Sequence, residues 1–267
     1  MSGKEKHTKP TWNEFAWAAV VHWATHPPDK TEEGSYQNIL KKRLLKTLRT
    51  QPAKSKSTQI KEDIIDGFLN AWGCRMEKGK GAANAIRKQL VGLHPYIKKL
   101  QGLDIATVNF DTNVFVDGEK ITISQAVEKC YKDLRKDVKH RFAATATSKL
   151  LHILQPKLFV MWDRKIRDDF HDKNSQVLDS AKGYGTFLQL MQKKATDVCN
   201  AFNKRYPRQK RDPAKFLSDN LKYNPPQTFA RFLDEYNWIT ITKGCSIPPP
   251  WHPPKLSRKY GGRRRKR

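Results

Sequence analysis

The stretch Ser148–Phe170, SKLLHILQPKLFVMWDRKIRDDF, predicts two helices joined by a proline and a short apolar segment. Its leucines recur at the spacing of a helix that is buried on one side, at Leu150, Leu151, Leu154 and Leu158. Pro156 stops the first helix, because proline lacks a backbone N–H and its ring clashes with the preceding turn. The apolar segment Leu158–Trp162 then places Asp163 at the start of the second helix.

Asp163 opens a basic helix, and its position allows two interpretations. Ile166 and Phe170 form the apolar stripe of this helix, and three cations surround its first turn: Arg164, Lys165 and Arg167. In the first interpretation Asp163 is an N-cap, since aspartate is a preferred residue for satisfying the free N–H groups of a first turn. In the second it is a catalytic carboxylate that faces a phosphate backbone. The two roles are compatible, and the local pattern does not decide between them.

The chain is strongly basic along its whole length. Its 267 residues include 52 Lys and Arg against 26 Asp and Glu, which gives a formal net charge of +26 at pH 7. Residues 258–267 contain seven of the basic residues, and subtracting these seven leaves +19 for the rest. Such an excess predicts a polyanionic partner, and we expect double-stranded DNA. An anionic membrane is the competing partner, but no basic amphipathic helix stands alone in the sequence.

The four cysteines lie far apart and include no C-x-x-C pair, so we expect no zinc site, no iron–sulfur cluster and no disulfide framework. Cys130 and Cys199 fall on apolar helical faces and are expected in the core. The N-terminus has no signal-peptide core, and no apolar run approaches membrane-spanning length. We therefore expect a soluble cytoplasmic protein that contacts no membrane, is a monomer, and needs neither a cofactor nor a metal.

Helical periodicity dominates the pattern, so the predicted fold is mainly α. Predicted helices start at a Thr11 cap and then cover about 35–50, 58–72 and 82–90, with a turn at 92–95. The helix at 35–50 is basic on one side, which is either a solvated face or a DNA contact. A hairpin is predicted next, followed by a helix that Ser124 caps. A loop is predicted at 173–185. The last predicted helices cover 186–202, begin at Asp212 or Pro213, and cover 227–235.

A β-hairpin is predicted as a small insertion at about residues 108–124. Two β-rich runs flank Asp117-Gly118, and glycine tolerates the positive φ that a tight hairpin turn needs. The helices and this insertion together form one predicted domain, residues 11–245. Residues 246–267 form a Pro-rich and then Arg-rich tail.

Two runs of the chain resemble the helix-hairpin-helix DNA glycosylase superfamily. The run Thr147–Asp163 continues into W-D-R-K-I-R at Trp162–Arg167, where that family has (V/W)-D-x-x-(I/V)-R. The closer resemblance, which includes FARFLDEYNWITIT at Phe229–Thr242, is to a divergent branch. That branch contains phage thymine-hypermodification proteins and a bacterial anti-phage glycosylase acting on glucosylated hydroxymethylcytosine. The two runs cover about an eighth of the chain. The resemblance implies a two-lobed helical glycosylase fold with Asp163 as the catalytic acid group.

The chain departs from the family at two points. The hairpin glycine motif L-P-G-V-G is absent, and RFAATATS at Arg141–Ser148 stands in its place. Bifunctional members have a lysine about eighteen residues before the aspartate, where this chain has Thr145. The resemblance therefore implies a monofunctional enzyme that cuts the glycosidic bond, forms no Schiff base and leaves an abasic site. Lys149 is off register and is expected to contact a phosphate.

The implied site also includes a base pocket and phosphate contacts. Asp163 would stabilise the oxocarbenium-like state of the sugar and orient or deprotonate the attacking water. Trp162 is the nearest candidate for a pocket wall, with a core tryptophan as the alternative, and Asn84 and Tyr184 are candidates for reading base edges. Phosphate contacts are expected from Thr147, Ser148, Lys149, Arg164, Lys165 and Arg167.

Three functions remain open from the sequence. The first is excision of a modified pyrimidine, such as glucosylated hydroxymethylcytosine, in anti-phage defence. The second is a base-modifying transferase that uses the same flipping pocket to attach a group to the base. The third is a non-enzymatic DNA-binding protein, which the net charge of +26 would explain by itself.

Overall fold

The computed structural model describes residues 10–26, 32–76, 80–136, 143–207 and 212–246, which are mainly α-helical with a two-stranded antiparallel hairpin. The helices are α1 (Trp12–Thr25), α2 (Glu32–Lys41), α3 (Arg43–Thr50), α4 (Ser57–Gln59), α5 (Lys80–Leu100), α6 (Ile123–Leu134), α7 (Ala144–Leu154), α8 (Arg164–Lys173), α9 (Ala181–Arg205), α10 (Pro213–Leu221) and α11 (Phe229–Asn237). The strands are β1 (Asn113–Val116) and β2 (Glu119–Thr122). The predicted tail beyond Ser246 lies outside the described residues.

Polar caps start several helices where the sequence predicts them. Thr11 and Glu14 form a reciprocal capping box at α1, and the Asp212 side chain accepts from the Lys215 N–H at α10. Asp163 caps α8 in the same way, and α7 ends at Leu154, before the predicted proline break. These ends are local, because a side-chain oxygen satisfies N–H groups only two or three residues away.

Two predicted helices near the start of the chain, 35–50 and 58–72, differ from the structure. The predicted helix at 35–50 is two helices, because Lys42 adopts an extended backbone between α2 and α3. The predicted helix at 58–72 begins as α4 and continues as a π-helical segment, Ile60–Asn70. A short 3-10 turn, Pro52–Lys54, separates α3 from α4.

The turn predicted at 92–95 is wrong, because α5 runs through Gly92 and Pro95 without ending. An internal proline costs a helix about 3 kcal/mol. Four fully buried residues recur along this helix on one side: Leu90, Leu93, Ile97 and Leu100. Burying one such side chain stabilises by about 1.5–3 kcal/mol, so the shared apolar face outweighs the proline.

The hairpin prediction is confirmed. Val116 pairs with Glu119 across the two-residue turn Asp117-Gly118, and both turn residues have positive φ, 51° and 86°. Positive φ at both positions matches the right-handed twist of the paired strands. The following helix begins two residues before the prediction, since Thr122 rather than Ser124 is its cap.

The loop predicted at 173–185 is shorter than expected, because α9 begins at Ala181 with Ser180 as its cap. Its first turns contain Gly183, Tyr184 and Gly185. A Cβ atom at position 183 would lie 1.9 Å from the Leu178 carbonyl oxygen, so the chain entering α9 passes too close for any side chain. The glycine therefore allows a close approach inside a helix, and it does not mark a loop.

The helices pack around one large apolar cluster. α6 packs against α5, α7 and α9, while α1 packs against α9, α10 and α11. Cys130 is fully buried as predicted, and Cys199 is half-buried against the core. The last helix is followed by a π-helical turn, Trp238–Thr242, which contacts both α1 and α8. This turn brings the C-terminal part of the described chain to the start of α8, where Asp163 lies.

Candidate functional site

Both carboxylate oxygens of Asp163 are held by hydrogen bonds. Oδ1 accepts from the Ile166 backbone N–H at 2.9 Å, which is the N-cap bond of α8. Oδ2 accepts from the Thr242 hydroxyl at 2.9 Å. The N-cap interpretation is thus confirmed. Thr242 is 79 positions away from Asp163 in the chain, and the two anchors together fix the plane of the carboxylate.

Asp163 lines a cavity of about 310 Å³. The walls come from α1, the turn after the first π-helical segment, α7, the 161–166 segment, α11 and the last π-helical turn. Thr145 and Lys149, which the sequence analysis singled out, line the same cavity. The cavity thus joins the two runs that carry the resemblance, 147–163 and 229–242.

One wall of the cavity consists of aromatic rings that the sequence analysis did not select. The imidazoles of His22 and His26 are stacked with centroids 5.0 Å apart and planes 14° apart. The Trp238 indole stands edge-on to both, at 5.6 Å from His22 and 4.6 Å from His26. No sequence motif marked His22 or His26, whereas Trp238 lies in the run Phe229–Thr242, which carries part of the resemblance.

A second wall is the Trp72 indole, which two cations contact. The Lys149 ammonium lies 5.0 Å from the Trp72 ring and donates to the Trp72 carbonyl oxygen at 2.8 Å. The Arg231 guanidinium lies 4.9 Å from the same ring and 5.1 Å from Tyr36. Lys149 is therefore held at the cavity wall and contacts the protein itself.

A buried group of charges on α11 supports the cavity. Arg231 pairs with Asp234 and lies 3.5 Å from Glu235, whose side chain is fully buried. His22 Nδ1 is 3.4 Å from Glu235 Oε1. Burial lowers the pKa of His22 to about 2, with Arg231 and His26 adding to the effect. The imidazole is therefore neutral at pH 7, and its contact with Glu235 is not an ion pair.

The candidates for the base pocket lie elsewhere. Trp162 is 0% exposed and donates to the Tyr131 hydroxyl at 3.3 Å, so it occupies the core, which was the alternative interpretation. Tyr184 is equally buried and donates to the Val160 carbonyl at 2.9 Å. Asn84 is exposed on α5 and accepts from Ser57. None of the three lines the cavity, because their helical faces point to the core or to another surface.

Thr147 and Ser148 are fully buried, which leaves their side chains no surface for a phosphate. The Ser148 hydroxyl bonds both the backbone N–H and the carbonyl of Trp162, at 3.2 and 3.3 Å. It thereby ties α7 to the segment that ends at Asp163. These two residues differ from the expectation because α7 is buried around most of its circumference.

The basic residues of α8 divide into solvent-facing and supporting side chains. Arg164 is 86% exposed and lies 3.6 Å from Asp168, while exposed Lys165 donates to the Thr242 carbonyl at 3.3 Å. Arg167 is half-buried, lies 5.7 Å from the Trp162 ring and donates to the Thr145 hydroxyl at 3.3 Å. Of these three side chains, Arg164 and Lys165 are thus exposed, as a contact with phosphate requires, and Arg167 is not.

In the described ranges, no group of three or more His, Cys, Asp or Glu side chains could hold a metal ion. In the same ranges, no helix has the length and apolar character required to cross a membrane. No protein-family model matches the chain, and no curated protein or solved structure matches it either.

Proposed function

We propose that the protein is a monofunctional DNA glycosylase with a two-lobed helical fold. It would excise a modified pyrimidine, such as glucosylated hydroxymethylcytosine of phage DNA, and leave an abasic site as part of anti-phage defence. The observation that supports this is the position of Asp163, a doubly anchored carboxylate on the wall of an aromatic-lined cavity. The net charge of +26 supports DNA as the partner in this proposal.

The anchored carboxylate suits cleavage of a nucleoside bond. As the base leaves, positive charge develops on the sugar, and a fixed negative group beside it stabilises that state without reorganising. Each carboxylate oxygen can accept more than one hydrogen bond, so the bonds from Ile166 and Thr242 leave acceptor capacity for an attacking water. Asp163 can therefore orient or deprotonate that water.

The cavity suits an extruded base with a substituent. Its volume of about 310 Å³ is at the lower end of small-molecule pockets, which begin near ~300 Å³. Stacking of a base on an aromatic side chain contributes about 1–3 kcal/mol, which offsets the few kcal/mol that flipping costs. In this proposal His22, His26, Trp72 and Trp238 are the pocket walls, in place of Trp162, Asn84 and Tyr184.

The test is a base-release assay on duplexes containing cytosine, hydroxymethylcytosine or glucosylated hydroxymethylcytosine. Alkali would reveal abasic sites. We expect Asp163→Asn to lower the rate of release at least about 100-fold, as is typical when an electrostatic group of a site is removed. Asparagine caps a helix about as well as aspartate, so folding and DNA binding should persist.

Asp168→Asn is the matched control, because it removes the same charge from the exposed side of the same helix. It should release base at the wild-type rate. Intact bases in every duplex would contradict the proposal. A heavier base in the product would then indicate the transferase, and salt-sensitive binding without any product would indicate a non-enzymatic DNA-binding protein.

A further inference from the structure

A second concave surface lies beside α3. It is a groove of about 580 Å³ between α3, the 3-10 turn Pro52–Lys54 and the end of α4. Its polar lining includes Arg43, Lys46, Thr50 and Lys54. None of its lining residues lines the Asp163 cavity, so it is a separate site.

The three cations that line this groove have no acidic residue in their own segment. Residues 34–61 contain eight Lys and Arg and no Asp or Glu, and two of the eight, Lys42 and Lys61, pair with Asp63 and Asp66 at 3.1 and 2.7 Å. In the described part of the chain, Arg43, Lys46 and Lys54 have no carboxylate within ion-pair distance.

Three cations on other helices pair with a carboxylate one turn away: Lys129 with Asp133 at 3.0 Å, Lys173 with Asp169 at 2.7 Å and Lys215 with Asp219 at 3.7 Å. Within the described ranges the groove cations Arg43, Lys46 and Lys54 have no such carboxylate, and all three line one concave surface. They are therefore available together to an anionic ligand.

The groove is also held in shape by hydrogen bonds. Arg87 donates to the carbonyls of Ala53 and Ser55, which fixes the 3-10 turn that carries Lys54. Arg49 donates to the Ile153 carbonyl at 2.6 Å and so attaches α3 to α7. A preformed surface gives up little conformational freedom on binding, which favours affinity.

The apolar side of α3 is buried, so a membrane fits this groove less well than DNA does. Leu44, Leu45 and Leu48 are all buried in the core, so the helix has no apolar face to insert among lipids. A helix that lies on a membrane buries such a face at the headgroup boundary. A concave groove lined by polar and cationic groups instead matches a convex phosphodiester ridge.

We propose that this groove binds the sugar-phosphate backbone of duplex DNA through Arg43, Lys46 and Lys54. The α7 helix, to which α3 is attached, also carries Thr145 and Lys149 of the cavity wall. The groove would therefore hold the duplex in register while a base enters the cavity. The inference takes its partner from the proposed function, but its test requires no base release.

The experiment measures binding of the 267-residue chain to an unmodified duplex from about 50 to about 200 mM salt, a range over which phosphate contacts are strongly attenuated. The groove variant combines Arg43→Gln, Lys46→Gln and Lys54→Gln. The control combines Lys132→Gln, Lys193→Gln and Lys204→Gln, which are exposed, lie on other helices and remove the same charge.

We expect the slope of log affinity against log salt to become shallower by about 0.9 for each phosphate that the variant no longer neutralises, so by about 1 to 3 for the groove variant. The control should change the slope by less than half as much. Equal changes in the two variants, or none in the groove variant, would overturn the proposal. Lys54→Gln alone, at an exposed turn, repeats the test should the triple variant fold poorly.

A second arm uses vesicles of phosphatidylcholine and phosphatidylserine. Loss of vesicle binding with unchanged DNA binding in the groove variant would assign the groove to a membrane and reject our proposal. A shallower DNA slope together with intact bases in the release assay would reject the glycosylase and retain the groove. Base release together with an unchanged slope would support the glycosylase and reject the groove as a DNA-binding surface.

Discussion

The two oxygens of Asp163 connect local and distant parts of the chain. Oδ1 completes the first turn of α8, and Oδ2 is bound by Thr242 from the end of the described chain. A cap needs only one oxygen, since it satisfies one N–H of the first turn. The N-cap and the proposed catalytic role therefore use different parts of one side chain, and Asp163→Asn separates them because it retains the cap.

Lys149 is the residue at which a bifunctional mechanism can be tested. Its ammonium donates to the Trp72 carbonyl and lies over the Trp72 ring, so it supports a wall. We expect Lys149→Gln to lower base release by about tenfold, equivalent to about 1.4 kcal/mol, through a weakened wall. Borohydride should trap no covalent adduct between the wild-type protein and substrate DNA.

Lys193→Gln is the control for this prediction, because Lys193 is exposed on α9 and lines no part of the cavity. A trapped adduct that disappears in Lys149→Gln but persists in Lys193→Gln would assign a Schiff base to Lys149. The enzyme would then be bifunctional, against our expectation.

The start of α9 shows how an element is shaped by a neighbouring segment. Gly183 lies where the Leu178 carbonyl approaches the helix, and Leu178 accepts from the Ser180 N–H at 2.7 Å in the turn before it. Helix propensity by itself would favour alanine over glycine by about 1 kcal/mol. The close backbone reverses that preference at position 183.

We expect Gly183→Ala to lower the free energy of unfolding by about 1–3 kcal/mol, because the new methyl group overpacks against backbone. Gly185→Ala is the matched control in the same turn. Its Cβ would meet the Glu128 side chain at 3.1 Å, and a flexible side chain can move away. Urea unfolding measures both variants. Equal stabilities would contradict the close approach at Leu178.

At the scale of the whole molecule, the described residues include two buried, neutral histidines, which predict sensitivity to acid. Burial is the largest cause of the lowered pKa values, about 2 for His22 and about 3 for His152. Arg231 lowers both further. Because the unfolded chain has the ordinary pKa near 6.5, it takes up protons that the folded chain does not bind.

The free energy of unfolding should therefore have its highest value above about pH 6.5. It should decrease as the pH drops toward 3, by about 1.4 kcal/mol per pH unit for each histidine. Urea midpoints at several pH values would measure this slope. Replacing His22 and His152 by Gln should flatten it, while the exposed control His171→Gln should leave it unchanged. An unchanged slope in the double variant would show that carboxylates alone cause the destabilisation.

Local patterns predicted the elements whose causes are local. The Asp163 cap, the Asp117-Gly118 turn and the proline break after α7 each depend on neighbours within a few residues, and all are confirmed. The turn at 92–95 was wrong, because apolar burial holds α5 together across it. The loop at 173–185 is present but ends early, at Ser180, because its last residues begin α9. Burial requires packed neighbours, and the approach of the Leu178 carbonyl to Gly183 depends on the three-dimensional path of the chain into α9.

The sequence by itself determined a basic, mainly helical protein in which Asp163 opens a helix. Only the tertiary structure decided which side chains share the cavity with that carboxylate. Trp162 adjoins Asp163 in sequence but points to the core, whereas Trp72 and Trp238 reach the cavity from distant segments. The reason is that side chains next to each other in sequence point in different directions from the backbone. A site is therefore formed by residues that the packing of separate elements brings together.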